Sequence, residues 1–158
     1  MPFGDVTPLL AHGGAHSLWR QHIQRLTTTG RHRAVPGQAD DGLVHREREF
    51  PAGNATDGNT ATRWSSAFGD PQSIQVDLGA SHTVSQVVLN WEAAFATAFQ
   101  VQTSADGVTW TTVFTTTTGA GGVQTIPVSG TGQFVRVLGT ARATQFGYSL
   151  WEFRVFGT

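Results

Sequence analysis

Cysteine and lysine are both absent from this chain. Without cysteine there is no disulfide framework, no thiolate metal site and no thiol nucleophile. Charge of either sign is sparse, at 13% of residues with a net charge of −1, which removes the electrostatic case for a nucleic-acid or anionic-membrane partner. No apolar run is long enough to span a bilayer. Met1 to Asp5 lacks the basic start and apolar run of a signal peptide. Tyrosine occurs once, as Tyr148.

What remains is rich in glycine and threonine, a composition that suits a neutral, strand-rich domain of secreted type. A length of 158 residues implies one domain with a sizeable core. Composition breaks near residues 46–50: five of the six histidines and six of the ten arginines precede Phe50. Before the break, only Ser17 to Leu26 suggests a short helix, marginal alone, and Gln38 to Gly42 a turn.

The stretch from Asn54 to Trp64, Asn-Ala-Thr-Asp-Gly-Asn-Thr-Ala-Thr-Arg-Trp, is too dense in Asn, Asp, Gly and Thr for a helix. It reads as a tight, self-bonded loop offering one carboxylate, hydroxyls and bent-back carbonyls, the oxygens a hard cation such as calcium takes. Asn54-Ala-Thr56 is also a glycosylation sequon, discounted in a cation loop.

Beyond it the pattern is that of strands. Ser73 to Leu78 alternates strictly and stops at Gly79; Thr83 to Trp91 is a second, more apolar strand. Phe99 to Thr103 alternates, Ser104-Ala-Asp-Gly107 signals a hairpin, and Thr109 to Phe114 follows. In Val123 to Val128, Pro127 marks a sheet edge; Gln133 to Leu138 reads as central; Ser149 to Phe156 closes the domain. Glu92 to Thr97, Thr115 to Gly122 and Ala141 to Gly147 are loops. Many short strands without a long helix predict an all-β antiparallel sandwich or barrel.

Five ordered motifs carry a family likeness: Asn54 to Trp64, Ile74 to Gly79, Ser104 to Trp110, Phe134 to Val137 and Tyr148 to Phe153. Together residues 50–158 resemble the coagulation factor 5/8 type C (discoidin) family, in its branch of family 32 carbohydrate-binding modules. Leu89 to Phe99 and Thr140 to Tyr148 are most similar to modules appended to bacterial chitosanases and β-glucanases. The resemblance implies an eight-stranded jelly-roll sandwich with a structural calcium. The implied ligands are the carbonyls of Asn54 and Asn59, the Asp57 carboxylate, the hydroxyl and carbonyl of Thr62, the Trp151 carbonyl and Glu152.

Family members open with Gly-Lys-Pro-x-x-Ala-Ser-Ser before that loop; here the place holds Gly37 to Arg48. With GC-rich codons assigned to residues 31–48, a one-base shift reads Asp-Thr-Ala-Leu-Ser-Arg-Gly-Lys-Pro-Thr-Thr-Ala-Ser-Ser-Thr-Glu-Ser. The expected organisation is therefore a poorly ordered or out-of-frame segment at 1–48, a discoidin-like carbohydrate-binding domain at 49–158, and a sandwich short of its first strand.

Sugar recognition needs an aromatic face for the pyranose C–H surface and a few polar groups for its hydroxyls. Arg63, Phe68, Glu92, Arg142, Phe146 and Tyr148 are the candidates. In chitosanase-type relatives, positions matching Arg63, Phe68 and Glu92 contact sugar, with a further glutamate that would be Glu47 or Glu49 here. Trp64, Trp91, Trp110 and Trp151 read as core, and Arg63 could instead pair with Asp77 or Glu152. Asp70, Asp106 and His82 read as solvated turn residues.

Three functions follow. The first is non-catalytic binding of polysaccharide or oligosaccharide, chitosan or β-glucan, that targets an attached secreted glycoside hydrolase. The second is catalysis by Glu92 and Glu152 as acid and base, disfavoured because the cation loop claims Glu152. The third is a protein or phospholipid adhesion module, disfavoured by loops with few apolar tips. A monomer in the extracellular space is expected, as part of a longer parent protein.

Overall fold

The computed structural model describes residues 49–158. The helix and turn expected before them, Glu47, and the poorly ordered or out-of-frame segment at 1–48 lie outside the described residues. A short 3-10 helix, Ala52–Thr56, precedes six strands: β1 (Trp64–Ser65), β2 (Gln72–Trp91), β3 (Ala96–Ser104), β4 (Thr111–Thr116), β5 (Val123–Arg142) and β6 (Ser149–Gly157). All pairings are antiparallel, in the order β1-β6-β2-β5-β3-β4.

The two stretches expected as separate strands, Ser73 to Leu78 and Thr83 to Trp91, are halves of the continuous β2. Gly79 does turn the backbone, at φ 80°, and the ladder to β5 breaks between Asp77 and His82. Before the break, β2 pairs with residues 134–139 of β5, which pair on their other side with β3, and β3 with β4. After it, β2 pairs with residues 123–132 of β5 on one side and with β6 on the other. Two 20-residue strands thus contribute a segment to each layer of a jelly-roll β-sandwich. Residues 134–138 have partners on both sides, as expected for a central strand. Pro127 sits where β5 pairs only with β2, opposite Gln86, a one-sided position of the kind a strand proline takes.

The core follows from the alternation. Ile74, Val76 and Leu78 are buried on one face of β2, between Gln75 and Asp77 on the other. Past the break Val84, Val87, Leu89 and Trp91 are buried, and the register shift between Val84 and Gln86 absorbs the change of phase. Leu150, Phe153 and Val155 close the core from β6, each contributing about 1.5–3 kcal/mol by leaving water. Trp64 and Trp91 are buried as expected and Phe99 is buried beside Trp91, whereas Trp110 and Trp151 are half-buried, and the Arg136 guanidinium lies 4.0 Å over the Trp110 ring.

The pairings bring several strand ends to one end of the sandwich. Ser65 lies opposite Ser149, Trp91 opposite Leu150, Ala96 opposite Arg142, and Gln72 opposite Gly139. The loops that leave these strands are 66–71, 92–95 and 143–148, and 117–122 joins them.

Candidate functional site

Two aromatic rings are exposed at this end, Phe68 at 45% and Phe146 at 49%. They meet edge to face, with centroids 5.5 Å apart and planes at 70°. The other aromatic rings among the described residues are buried or half-buried, so this pair stands out as a face for something other than protein.

Beneath the pair is a polar brace. The Arg142 Nε donates to Asp70 Oδ2 at 3.1 Å, and its Nη1 donates to the carbonyls of Gln145 and Phe146, each at 3.2 Å. The Tyr148 hydroxyl donates to Asp70 Oδ1 in a short hydrogen bond. Burial, then the Asp70 carboxylate, holds the Tyr148 phenol far above the usual range, while Arg142 draws it down slightly. Asp70, expected to be a solvated turn residue, is in fact the anchor of two loops. Tyr148 is also corrected: it is 1% exposed and its ring covers Gly139, so it offers no open face to a sugar. Arg142 faces its own loop rather than standing free.

The second polar group of the rim is built around Ser149. Its Oγ accepts from Arg63 Nη1 at 2.9 Å and donates to the Trp64 carbonyl at 2.8 Å. Its carbonyl accepts from the Glu92 N–H at 3.0 Å, and its N–H donates to the Ala94 carbonyl at 2.8 Å. Glu92 Oε2 accepts from the Ala94 N–H at 3.0 Å, which fixes the turn and the side chain together. Arg63 pairs with neither Asp77 nor Glu152; its guanidinium stacks 3.8 Å over Phe50. Loop 117–122 closes the rim, with Gly121 at φ 70° packed where a Cβ would strike the Phe95 ring. The structure therefore brings Arg63, Phe68, Glu92 and Phe146 to one end of the molecule. Sequence reasoning missed Asp70, Ser149 and Phe50.

The cation candidates lie on the flank. Asp57 Oδ1 accepts from the Asn59 N–H at 2.8 Å and Oδ2 from the Thr62 hydroxyl at 2.6 Å. The Asn59 carbonyl accepts from both the N–H and the hydroxyl of Thr62, and Gly58 turns at φ 75°. The Asn54 amide donates to the Arg63 carbonyl at 3.0 Å, so the sequon nitrogen is engaged within the fold. Glu152 is 2% exposed. Burial raises its carboxyl above the usual glutamate range; Arg154 opposes this and Asp57 adds to it. Its Oε1 is buried without a hydrogen-bond partner. The β2–β6 register skips Trp151, which leaves that residue bulged beside Glu152. A buried, orphaned carboxylate oxygen with a second carboxylate near enough to act on it electrostatically is a donor set that fits a hard cation. Glu152 is buried at the flank, whereas Glu92 caps the rim turn.

A two-layer antiparallel sandwich with an aromatic-and-polar loop rim at one end is a galactose-binding-like β-sandwich, the class of the discoidin domains. The sequence profile of the F5/8 type C family described as NedA-like, galactose-binding domain matches residues 54–137, and the chain belongs to that family. Among solved structures, chitosan-binding module 1 of a chitosanase/glucanase from Paenibacillus sp. IK-5 is 46% identical, with a TM-score of 0.69 over 84% of this chain and 93% of that one. Module 2 of the same enzyme, in complex with chitotriose, is 41% identical, with a TM-score of 0.69 over 84% and 95%. The family 32 module of AlyQ, in complex with 4,5-unsaturated mannuronic acid, is 25% identical, with a TM-score of 0.60 over 86% and 96%. No curated protein matches the chain.

Proposed function

We propose that this chain binds carbohydrate without transforming it, at the rim formed by Arg63, Phe68, Glu92 and Phe146. The observation that supports this reading most is the exposed Phe68–Phe146 pair, an apolar angle able to receive the C–H face of a pyranose. The 41% identity to a module that holds chitotriose points to a chitosan-type or β-glucan ligand. Glu92 suits the cationic amine of glucosamine, and Arg63 suits a hydroxyl acceptor.

On the same reading the flank loop holds a structural calcium through Asp57, Thr62 and Glu152 with carbonyls of Asn54, Asn59 and Trp151. When bound, the ion satisfies the orphaned Glu152 oxygen and ties the loop to β6. The chain acts in the extracellular space, as a targeting module for an attached glycoside hydrolase.

Affinity electrophoresis of the full chain in gels containing chitosan, laminarin or a galactan tests the reading, with phosphatidylserine vesicles as the adhesion alternative. Retardation in chitosan or laminarin is expected. No retardation in any glycan, or binding to vesicles alone, would overturn it.

A further inference from the structure

Asp70 is joined to two residues that flank Phe146 in sequence. Its Oδ2 holds Arg142 at 3.1 Å and its Oδ1 holds the Tyr148 hydroxyl. Arg142 in turn donates to the Phe146 carbonyl at 3.2 Å, while Phe68 stands two residues before Asp70 on the other loop. The two exposed rings therefore ride on loops that one carboxylate fastens together. A second fastening supports the same joint: the Tyr148 N–H donates to Ser66 Oγ, and the Ser66 N–H to the Tyr148 carbonyl, each at 2.8 Å. That pairing fixes where the two loops meet, and the Asp70 contacts join them nearer the tips that carry Phe68 and Phe146.

We propose that Asp70 is a positioning residue for the ligand rim: by clamping Arg142 and Tyr148 it sets the angle between Phe68 and Phe146, and with it the affinity for oligosaccharide. The inference rests on the sugar-binding reading of this rim, and it assigns Asp70 no contact with the ligand. Physically, the geometry of two rings carried on separate loops depends on how those loops are joined. A rim held in its bound geometry loses less entropy on binding, and the affinity rises accordingly. The carboxylate suits this task because it accepts from two directions at once, and because both partners are partly shielded from water.

Two measurements on the full chain test it. The first needs no ligand: ring-to-ring nuclear Overhauser contacts between Phe68 and Phe146 are expected in the unaltered chain and lost in Asp70→Ala. The second is a double-mutant cycle of Asp70→Ala and Phe146→Ala read by chitotriose titration calorimetry. Asp70→Ala is expected to weaken binding roughly tenfold in the parent and hardly at all in the Phe146→Ala background, because coupled residues are non-additive. Asp70→Asn keeps an acceptor for Tyr148 but loses the charge that holds Arg142. It repeats both measurements in a chain of nearly unchanged shape, and thermal unfolding near the parent temperature certifies the fold. Persistent ring contacts in both variants, or losses that simply add to that of Phe146→Ala, would overturn the proposal. If the unaltered chain takes no chitotriose, the ligand reading falls on its own, and the ring contacts still decide the role of Asp70.

Discussion

Phe68 and Phe146 lie 78 positions apart in the chain, yet their rings meet edge to face at 5.5 Å and about half of each is open to solvent. Such an apolar angle is costly to leave in water and useful to present to a sugar. Replacing either ring by alanine should leave the unfolding temperature nearly unchanged, since exposed side chains contribute within about 0.5 kcal/mol. Oligosaccharide binding should weaken by roughly 5- to 30-fold, the effect of losing 1–2 kcal/mol at a contact of this kind. Calorimetric titration with chitotriose checks both rings in one series.

Glu92 separates the two favoured ligands. Its Oε2 is occupied by the Ala94 N–H, so the turn survives in Glu92→Gln with an uncharged acceptor in place. Affinity for a glucosamine oligomer should then fall more than affinity for laminarin. Equal losses on affinity gels would contradict a charge-based role.

The flank loop predicts a response to calcium. Binding to the native state alone stabilises by about 2.7 kcal/mol at a hundred times the dissociation constant, enough to raise Tm by several degrees. Differential scanning calorimetry with calcium and with EDTA should show that gap, and Glu152→Gln should abolish it. A gap that persists in Glu152→Gln would place the ion elsewhere.

Tyr148 gives an alkaline signature. Its ordinary pKa of 10.0 applies in the unfolded chain, and burial beside Asp70 raises it in the fold. A raised folded pKa means the native state holds the proton longer, so stability is intact below pH 10 and declines as pH climbs above it. Because this is the single tyrosine, tyrosinate absorbance reports on it alone. The absorbance should appear only together with loss of the near-ultraviolet circular dichroism.

Gly139 lies under the Tyr148 ring, where an added Cβ would sit 2.5 Å from ring carbon. Gly139→Ala should therefore destabilise by about 1–3 kcal/mol through forced repacking of the ring. Urea unfolding measures it, with the midpoint falling and the slope unchanged.

Much of this architecture is legible in the residues. Ser73 to Leu78 alternates because one face of β2 is buried, and Pro127 marks a one-sided segment because it lacks a donor. The continuity of β2 is hidden by Gly79, Ala80 and Ser81, which read locally as an ending, although antiparallel pairing resumes at His82. The rim was only half legible. Aromatic residues in loops flag Phe68 and Phe146, but Asp70 next to Pro71 looks like any polar turn; its partners lie 72 and 78 residues on. Arg63 likewise finds Ser149 86 residues away, a distance over which residue type alone suggests no pairing. Tyr148 misleads in the opposite direction. Its hydroxyl suggests a wet rim, whereas the facing Gly139 makes room for the whole ring inside.

The two strands shared between layers have a consequence for how the molecule comes apart. β2 and β5 pass from one layer into the other without a chain break, and their mutual pairing extends from Gln72 opposite Gly139 to Asn90 opposite Val123. Melting one layer frays segments of β2 and β5 that stay covalently continuous with the other, so opening of the two layers is coupled. The slowest amides of Ile74 in one layer and Leu89 in the other should therefore exchange with solvent through the same global opening. The sandwich is therefore expected to open as a single cooperative unit rather than as two sheets that part along their shared core.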